Sequence, residues 1–282
     1  MSLPSKGYYL PAPSHWPLVG SIALFLLALG ATLAIHNLAG GGFLLGAGAA
    51  SLASMLFGWF GKVIGESEGG LHDAQVETSF RWGMAWFIFS EVMFFAAFFG
   101  ALLYGRVVAV PDLATGDSHL LWPGYAGGWP SAGPGLKAVF TPMAAWGLPA
   151  VNTLVLLSSG ATVTWAHWGL KLGRPWQLEL GLTLTVLLGM SFIALQASEY
   201  AEAYHHMGLT LGAGIYGATF FMLTGFHGLH VTLGTLMLIT ILGRARVGHF
   251  TPERHFAFEA VSWYWHFVDV VWLLLFVFVY WL

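Results

Sequence analysis

Apolar residues along this chain come in long unbroken stretches, not in the short alternating or three-to-four spaced sets of a soluble domain. Seven stretches are long enough to cross a bilayer, for which about 20 predominantly apolar residues suffice. They lie at approximately 18–36, 43–60, 82–104, 148–168, 178–200, 216–243 and 259–282. Gly40-Gly41-Gly42 marks a tight turn between the first two, and a polar connection, 61–81, separates those two from the remaining five. The longest connection, about 105–147, holds Pro111, Pro123, Pro130, Pro134 and Pro142 among many glycines, and reads as an ordered extramembrane loop. The pattern predicts an all-α integral membrane protein. Its parts are an N-terminal tail and two-helix bundle over 1–60, a cytoplasmic connection over 61–81 and a five-helix bundle over 82–282.

Small residues suggest where helices meet. Gly42, Gly46, Ala50, Ser54 and Gly58 recur every four residues in the second span, a stripe that lets a neighbouring backbone approach. Gly181 with Gly189, and Gly225, Gly228 and Gly234, are expected to serve similar contacts in later helices.

Composition agrees with the pattern. Hydrophobic residues make up 57% and charged residues 8%, against roughly 25% charged in soluble domains. The mean hydropathy is +0.73. Only 10 Lys and Arg, with a net charge of −3, provide no basic patch for nucleic acid. The absence of cysteine excludes thiolate metal sites, haem attached through C-x-x-C-H and disulfides. Pro4, Pro11, Pro13 and Pro17 precede the first apolar run without a small-residue cleavage site, so a removed signal peptide is not expected. The basic residues also predict topology. With the N-terminus inside, Lys6, Lys62, Arg81, Lys171, Arg174, Arg244, Arg246 and Arg254 fall on the cytoplasmic side, and only Arg106 and Lys137 outside. The positive-inside rule then gives an odd number of spans, a cytoplasmic N-terminus and a periplasmic C-terminus.

Polar side chains inside the spans are the candidates for chemistry or assembly, because each is costly at membrane depth unless paired. Glu91 sits near the middle of the third span. It is expected as a neutral carboxyl hydrogen-bonded across helices, preferably to His230 or His227, or as a proton relay or tuning group for a neighbouring subunit. Asp269 and His266 stand three apart in the last span and share a helix face. Trp263, Trp265, Trp272 and Trp281 add indole donors to the same segment. His227 and His230 also stand three apart. Imidazole suits haem or copper, but no further ligand set accompanies them, so they read with His266 as interhelical hydrogen-bonding groups. Glu199 is expected at the outer interface, and Glu202, His205 and His206 as solvated loop polarity. No Ser-His-Asp set, phosphate loop or zinc spacing occurs, so no catalytic centre and no metal site are expected on this chain.

Several words of the sequence resemble one family. They are W-P-L at 16–18, R-W-G-M at 81–84, F-S-E-V-M-F-F at 89–95 and N-T-L-V-L-L-S-S-G at 152–160. T-W-A-H follows at 164–167, L-Q-A-S-E-Y at 195–200, I-Y-G-A-T-F-F at 215–221 and T-G-F-H-G-L-H-V at 224–231. The series closes with H-F at 249–250 and F-E-A-V-S-W-Y-W-H-F-V-D-V-V-W at 258–272. In order and over nearly the whole chain, these resemble subunit III of cytochrome c oxidase. The resemblance implies seven helices split two plus five around a lipid-holding cleft. It implies partners, namely subunit I with haems and a copper and subunit II with the electron-entry copper. The complex would oxidise cytochrome c, reduce oxygen and pump protons in aerobic respiration. This chain would carry no cofactor but structural phospholipid, and would support stability, sustained turnover and oxygen access. At the inner membrane face, Trp59, Glu66 and His72, together with Arg244, His249 and Arg254, are then the expected phospholipid contacts. Gly65 departs from the family's frequent basic residue beside that acid, with Lys62 one turn away to compensate. A bacterial-type plasma membrane is the expected location. Quinol oxidase subunit III, a multi-pass transporter and a b-type cytochrome are the alternatives. The first two spans count against the quinol type, and the absence of proline-broken midspan helices counts against the transporter.

Overall fold

The structure is a computed structural model described over residues 9–136 and 139–282, and every regular element among them is helical. Pro4, Lys6 and Lys137, used above for the N-terminus and the topology, lie outside the described residues. Seven long helices follow in order: α1 (Trp16–Ile35), α2 (Gly41–Glu68), α3 (Ala74–Tyr104), α4 (Leu148–Lys171), α5 (Pro175–His206), α6 (Gly214–Arg246) and α7 (Phe256–Leu275). α3 and α7 pass into π-helical stretches, Gly105–Ala109 and Phe276–Trp281. Proline occupies the first turn of α1, α4 and α5, where a missing N–H costs nothing. Gly40 (φ 88°) and Gly147 (φ 129°) turn the chain into α2 and α4 through backbone that other residues avoid.

Six segments are long and apolar enough to cross a membrane: 16–35, 41–68, 74–112, 175–206, 214–246 and 256–281. The chain is thus a multi-pass membrane protein. The seventh expected span, α4, has 24 residues and a length of about 36 Å, but falls short of the same apolarity. Its polar residues explain the shortfall, since Asn152, Thr153 and Ser159 are buried inside the protein and need no apolar substitute.

Three boundaries differ from the sequence expectation. α2 continues to Glu68 and α3 begins at Ala74, so the 61–81 connection is helical except at 69–73. No proline interrupts Lys62–Glu68, and the run ends only at Gly69 and Gly70 (φ 71°). α5 extends to His206, past the expected end at 200, because nothing in Ala201–His206 breaks a helix.

The chain divides into two compact units, one up to Phe80 and one from Arg81 to Leu282, with the boundary inside α3. In the first unit α1 packs along α2 mainly through glycines other than the expected stripe. A Cβ on Gly30 would stand 2.7 Å from Leu45 N, one on Gly41 2.7 Å from Ala34 N, and one on Gly48 2.9 Å from Leu27. Gly42 and Gly46 face open space, and of the stripe's glycines only Gly58 meets a neighbour, the Trp16 ring. Small residues line more than one face of α2, and the face against α1 is the one that meets α1's own Ala23 and Gly30.

In the second unit the core gathers around two fully buried indoles of α7, Trp265 and Trp272. Lipid offers helices no hydrophobic reason to associate, so close packing and interhelical hydrogen bonds hold such a bundle together. Gly189 of α5 and Gly234 of α6 lie against the Trp265 ring, which added Cβ atoms would approach to 2.9 and 2.8 Å. Gly181 meets Ala166 of α4 in the same way, at 2.8 Å. Gly225 and Gly228 do not, having an ordinary 3.7 Å neighbour and open space respectively. The loop after α3 is ordered against the α5–α6 turn: Thr141 N–H donates to Met207 O (2.9 Å), Tyr216 N–H to Ser131 O (3.1 Å), and Phe140 stacks on Tyr216 at 5.3 Å.

Candidate functional site

Polar side chains meet inside the second unit at several levels. Glu91, on α3, reaches α6, where its Oε2 lies 3.0 Å from His230 Nε2. His230 Nδ1 lies 2.6 Å from Phe226 O, a carbonyl that can only accept, so Nδ1 carries a hydrogen. A hydrogen on either Oε2 or Nε2 then makes this contact a hydrogen bond between α3 and α6. Phe95 packs against the same imidazole at 5.0 Å and is buried, which holds the ring in place.

His227, one turn earlier, turns elsewhere. It is fully buried, donates from Nε2 to Val268 O of α7 at 3.2 Å, and lies 5.1 Å from the Trp272 ring. The two indoles reach α4, Trp265 Nε1–H to Ser159 Oγ and Trp272 Nε1–H to Thr153 Oγ1, each at 2.9 Å. Both acceptors are hydroxyls that spend their own hydrogens on backbone carbonyls of α4, Ser159 on Leu156 O and Thr153 on Pro149 O.

Glu199 corrects the expectation of an interfacial acid. It is 0% exposed and accepts the Tyr280 hydroxyl at 2.7 Å. The extra turns of α5 place it inside the bundle, and the π-helical end of α7 brings Tyr280 to it. Glu202, His205 and His206, expected in a loop, belong to the last turns of α5. No sequence signal links positions 199 and 280.

His266 and Asp269 occupy the α4-facing side of α7. His266 Nδ1 lies 3.3 Å from Asp269 Oδ2, and its Nε2 lies 3.2 Å from Thr164 Oγ1. Gly160 lies beneath them, where an added Cβ would meet Asp269 Oδ2.

The expected headgroup residues fall in separate units. In the first, Glu66 lies 3.9 Å from both Lys62 Nζ and His72 Nε2, and Trp59 is 38% exposed. Lys62 thus stands beside the acid that Gly65 leaves without a neighbouring base. In the second, the Arg244 guanidinium lies 4.7 Å above the Phe250 ring. His249 N–H donates to Arg244 O (3.1 Å), and Thr251 anchors Arg254 N–H (3.1 Å to its Oγ1). An ion pair not anticipated from sequence ties α3 to α7: Arg81 Nη2 and Nε stand 3.0 and 3.1 Å from Glu259 Oε2. Among the described residues, no three His, Asp or Glu side chains converge. What these contacts do chemically is join helices and neutralise carboxyls.

The family model for "Cytochrome c oxidase subunit III" matches residues 6–282. Proteins named cytochrome c oxidase subunit 3 are similar over nearly their full lengths. The one from Marchantia polymorpha is 43% identical over 275 residues, covering 97% of this chain and 96% of its own. Those from Pongo abelii and Cyprinus carpio are each 42% identical over 282 residues, covering 100% of this chain and 99% of theirs.

Proposed function

The chain belongs to the cytochrome c oxidase subunit III family and is part of an oxidase complex, and from that premise we propose that it is the non-redox subunit of a proton-pumping oxidase fed by cytochrome c. The full-length family match carries the reading. The buried polar contacts agree with it, because those of Glu91, His227, Trp265, Trp272 and Tyr280 each join one helix to another. Haems and copper belong to the partner subunits I and II. This chain gives that machinery a stable flank, sustained turnover and oxygen access. Possession of α1 and α2 favours a cytochrome c donor over quinol.

All seven helices cross the membrane in this reading, with the N-terminus in the cytoplasm and the C-terminus in the periplasm of a bacterial-type plasma membrane. α4 qualifies through its length and its inward-turned polar residues. Trp59, Glu66 and His72 in the first unit, and Arg244, His249 and Arg254 in the second, take phospholipid headgroups at the inner face. Basic, aromatic and acidic side chains at one interface suit phosphate and amine alike.

Affinity purification through a tag on this chain, from membranes of a host that makes the whole complex, tests the reading. The eluate should show haem absorbance, oxidise cytochrome c and retain phospholipid. After this chain is stripped away, the haem should remain with the partner. Haem travelling with the stripped chain, or an eluate without an oxidase, refutes it.

A further inference from the structure

Gln196 and Glu199 stand three apart on α5, so their side chains leave the same helix face. Both are enclosed by the protein, Glu199 at 0% and Gln196 at 5% exposure. They converge on one group of α7. The Tyr280 hydroxyl donates to Glu199 Oε1 at 2.7 Å, and the Gln196 amide approaches the same hydroxyl without completing a hydrogen bond. Glu199 lies seven residues before the end of α5 at His206, about 10 Å in from that end.

Three polar atoms of this small group are left over. Glu199 Oε2 and both the oxygen and the nitrogen of the Gln196 amide find no partner among the described residues. Buried polar groups are nearly always hydrogen-bonded, because an unmade bond forfeits hydration with nothing in return. The surroundings supply no such bond. The rings of Phe220 and Trp272 stand 5.4 and 5.8 Å from that of Tyr280. The hydroxyl of Tyr200, next along α5, is taken up by Thr224 Oγ1 at 2.6 Å. Ionised, Glu199 Oε2 only accepts, as the amide oxygen does, so neither serves the other. Protonated, it would donate, yet no acceptor lies within its reach.

Enclosure limits what the missing partner can be. No lipid headgroup and no side chain of another subunit touches a residue without exposed surface. A bare calcium ion takes about 6–8 oxygens, and Glu199 Oε2, Gln196 Oε1 and the Tyr280 hydroxyl fall well short of that. Water has the right size and chemistry. It can donate two hydrogens, and buried waters typically hold about three hydrogen bonds to groups otherwise left unpaired. It also joins polar groups that stand too far apart to bond directly.

We propose that Gln196 and Glu199 of α5, facing Tyr280 of α7, bind one ordered water molecule inside this chain. The water bridges Glu199 Oε2 and Gln196 Oε1. With its oxygen so occupied, the Gln196 amide completes an N–H donation to the Tyr280 oxygen that it already approaches. Gln196, Glu199, Tyr280 and the water then form one network across two helices, and the enclosed carboxyl receives the solvation that its aromatic neighbours withhold. The site is made of this chain's residues alone and goes beyond the oxidase reading.

Cryo-electron microscopy of the assembled oxidase, at a resolution that shows ordered water, tests the site directly. The parent map should hold a density peak about 2.5–3.0 Å from both Glu199 Oε2 and Gln196 Oε1. Gln196→Met keeps the side-chain length while removing both polar atoms, and should lose that peak. Ser198→Ala, exposed on the same helix, should keep it. A parent map with the Gln196 amide bonded directly to the Glu199 carboxyl and no peak between them would overturn the proposal. So would a peak that persists unchanged in Gln196→Met. Where that variant does not assemble, the parent map alone decides. A parent preparation without haem would strike instead at the oxidase reading, and the same map would still decide this site.

Discussion

Replacing Glu91 separates a neutral hydrogen bond from an ion pair. In the structure Glu91 Oε2 and His230 Nε2 are 3.0 Å apart, and His230 Nδ1 is committed to Phe226 O. Glu91→Gln keeps the side-chain length and offers an amide hydrogen to Nε2, so one neutral hydrogen bond replaces another. Glu91→Leu removes the partner and leaves Nε2 unsatisfied on a residue only 8% exposed. An unsatisfied buried acceptor costs about 1–3 kcal/mol. For a domain of this size each kcal/mol moves the melting temperature by about 2–4 °C, so a mid-range loss of about 2 kcal/mol lowers it by about 4–8 °C. The assay is thermal release of this subunit from purified oxidase in one detergent at fixed pH. The Leu variant should fall by that amount, and the Gln variant should stay within about 2 °C of the parent. Infrared spectroscopy of the same samples should show a protonated-carboxyl band that Glu91→Gln removes. Should the Gln variant drop as far as the Leu variant, with no such band in the parent, the contact is a charged pair and the expectation of a neutral Glu91 carboxyl is wrong.

Gly189→Ala would push a methyl into Trp265 and Thr235, at 2.9 Å from each. Overpacking costs about 1–3 kcal/mol, so subunit release should begin at lower temperature, whereas Gly228→Ala, facing open space, should be neutral or stabilising. Equal losses in both would mean that the glycines matter only through the backbone. Tyr280→Phe strips a hydrogen-bond donor from fully enclosed Glu199 and should destabilise by about 1–3 kcal/mol; an unchanged melting profile would show that this carboxyl has another donor. The chain has no cysteine, so single cysteines at Leu136 and Lys171, which bracket α4, can be labelled cleanly in sealed membranes with an impermeant reagent. They should react from opposite faces, and reaction of both from one face would remove α4 from the spans.

The class of protein was legible along the chain because a bilayer imposes its rule locally. A helix in hydrocarbon satisfies its own backbone, so runs of about 20 apolar residues announce themselves without reference to any neighbour. Such runs foretold α1, α2, α3, α5, α6 and α7 as long apolar helices, although α2 ends at Glu68 and α3 begins at Ala74, each well beyond the expected bound. Deep polar residues were conspicuous for the same reason, which is why Glu91, His227, His230, His266 and Asp269 could be singled out. The ordered words that resemble subunit III needed no structure either.

Pairing is different in kind, since it depends on which helix faces are turned together. Two histidines three apart on α6 looked equivalent, yet His230 meets Glu91 and His227 meets the Val268 carbonyl. The stripe Gly42–Gly46–Gly58 was regular, but only its Gly58 meets α1, through Trp16, while the close backbone approach falls at Gly41 and Gly48. α4 hides its polarity inside the bundle, and so a helix that sequence pattern placed in the membrane is less apolar than its six companions. Glu199 read as interfacial until the last turns of α5 and the π-helical end of α7 enclosed it. Local hydrophobicity determined what lies in the membrane; rotation and register of one helix against another decided which polar atoms meet, and those quantities exist only once the bundle has packed.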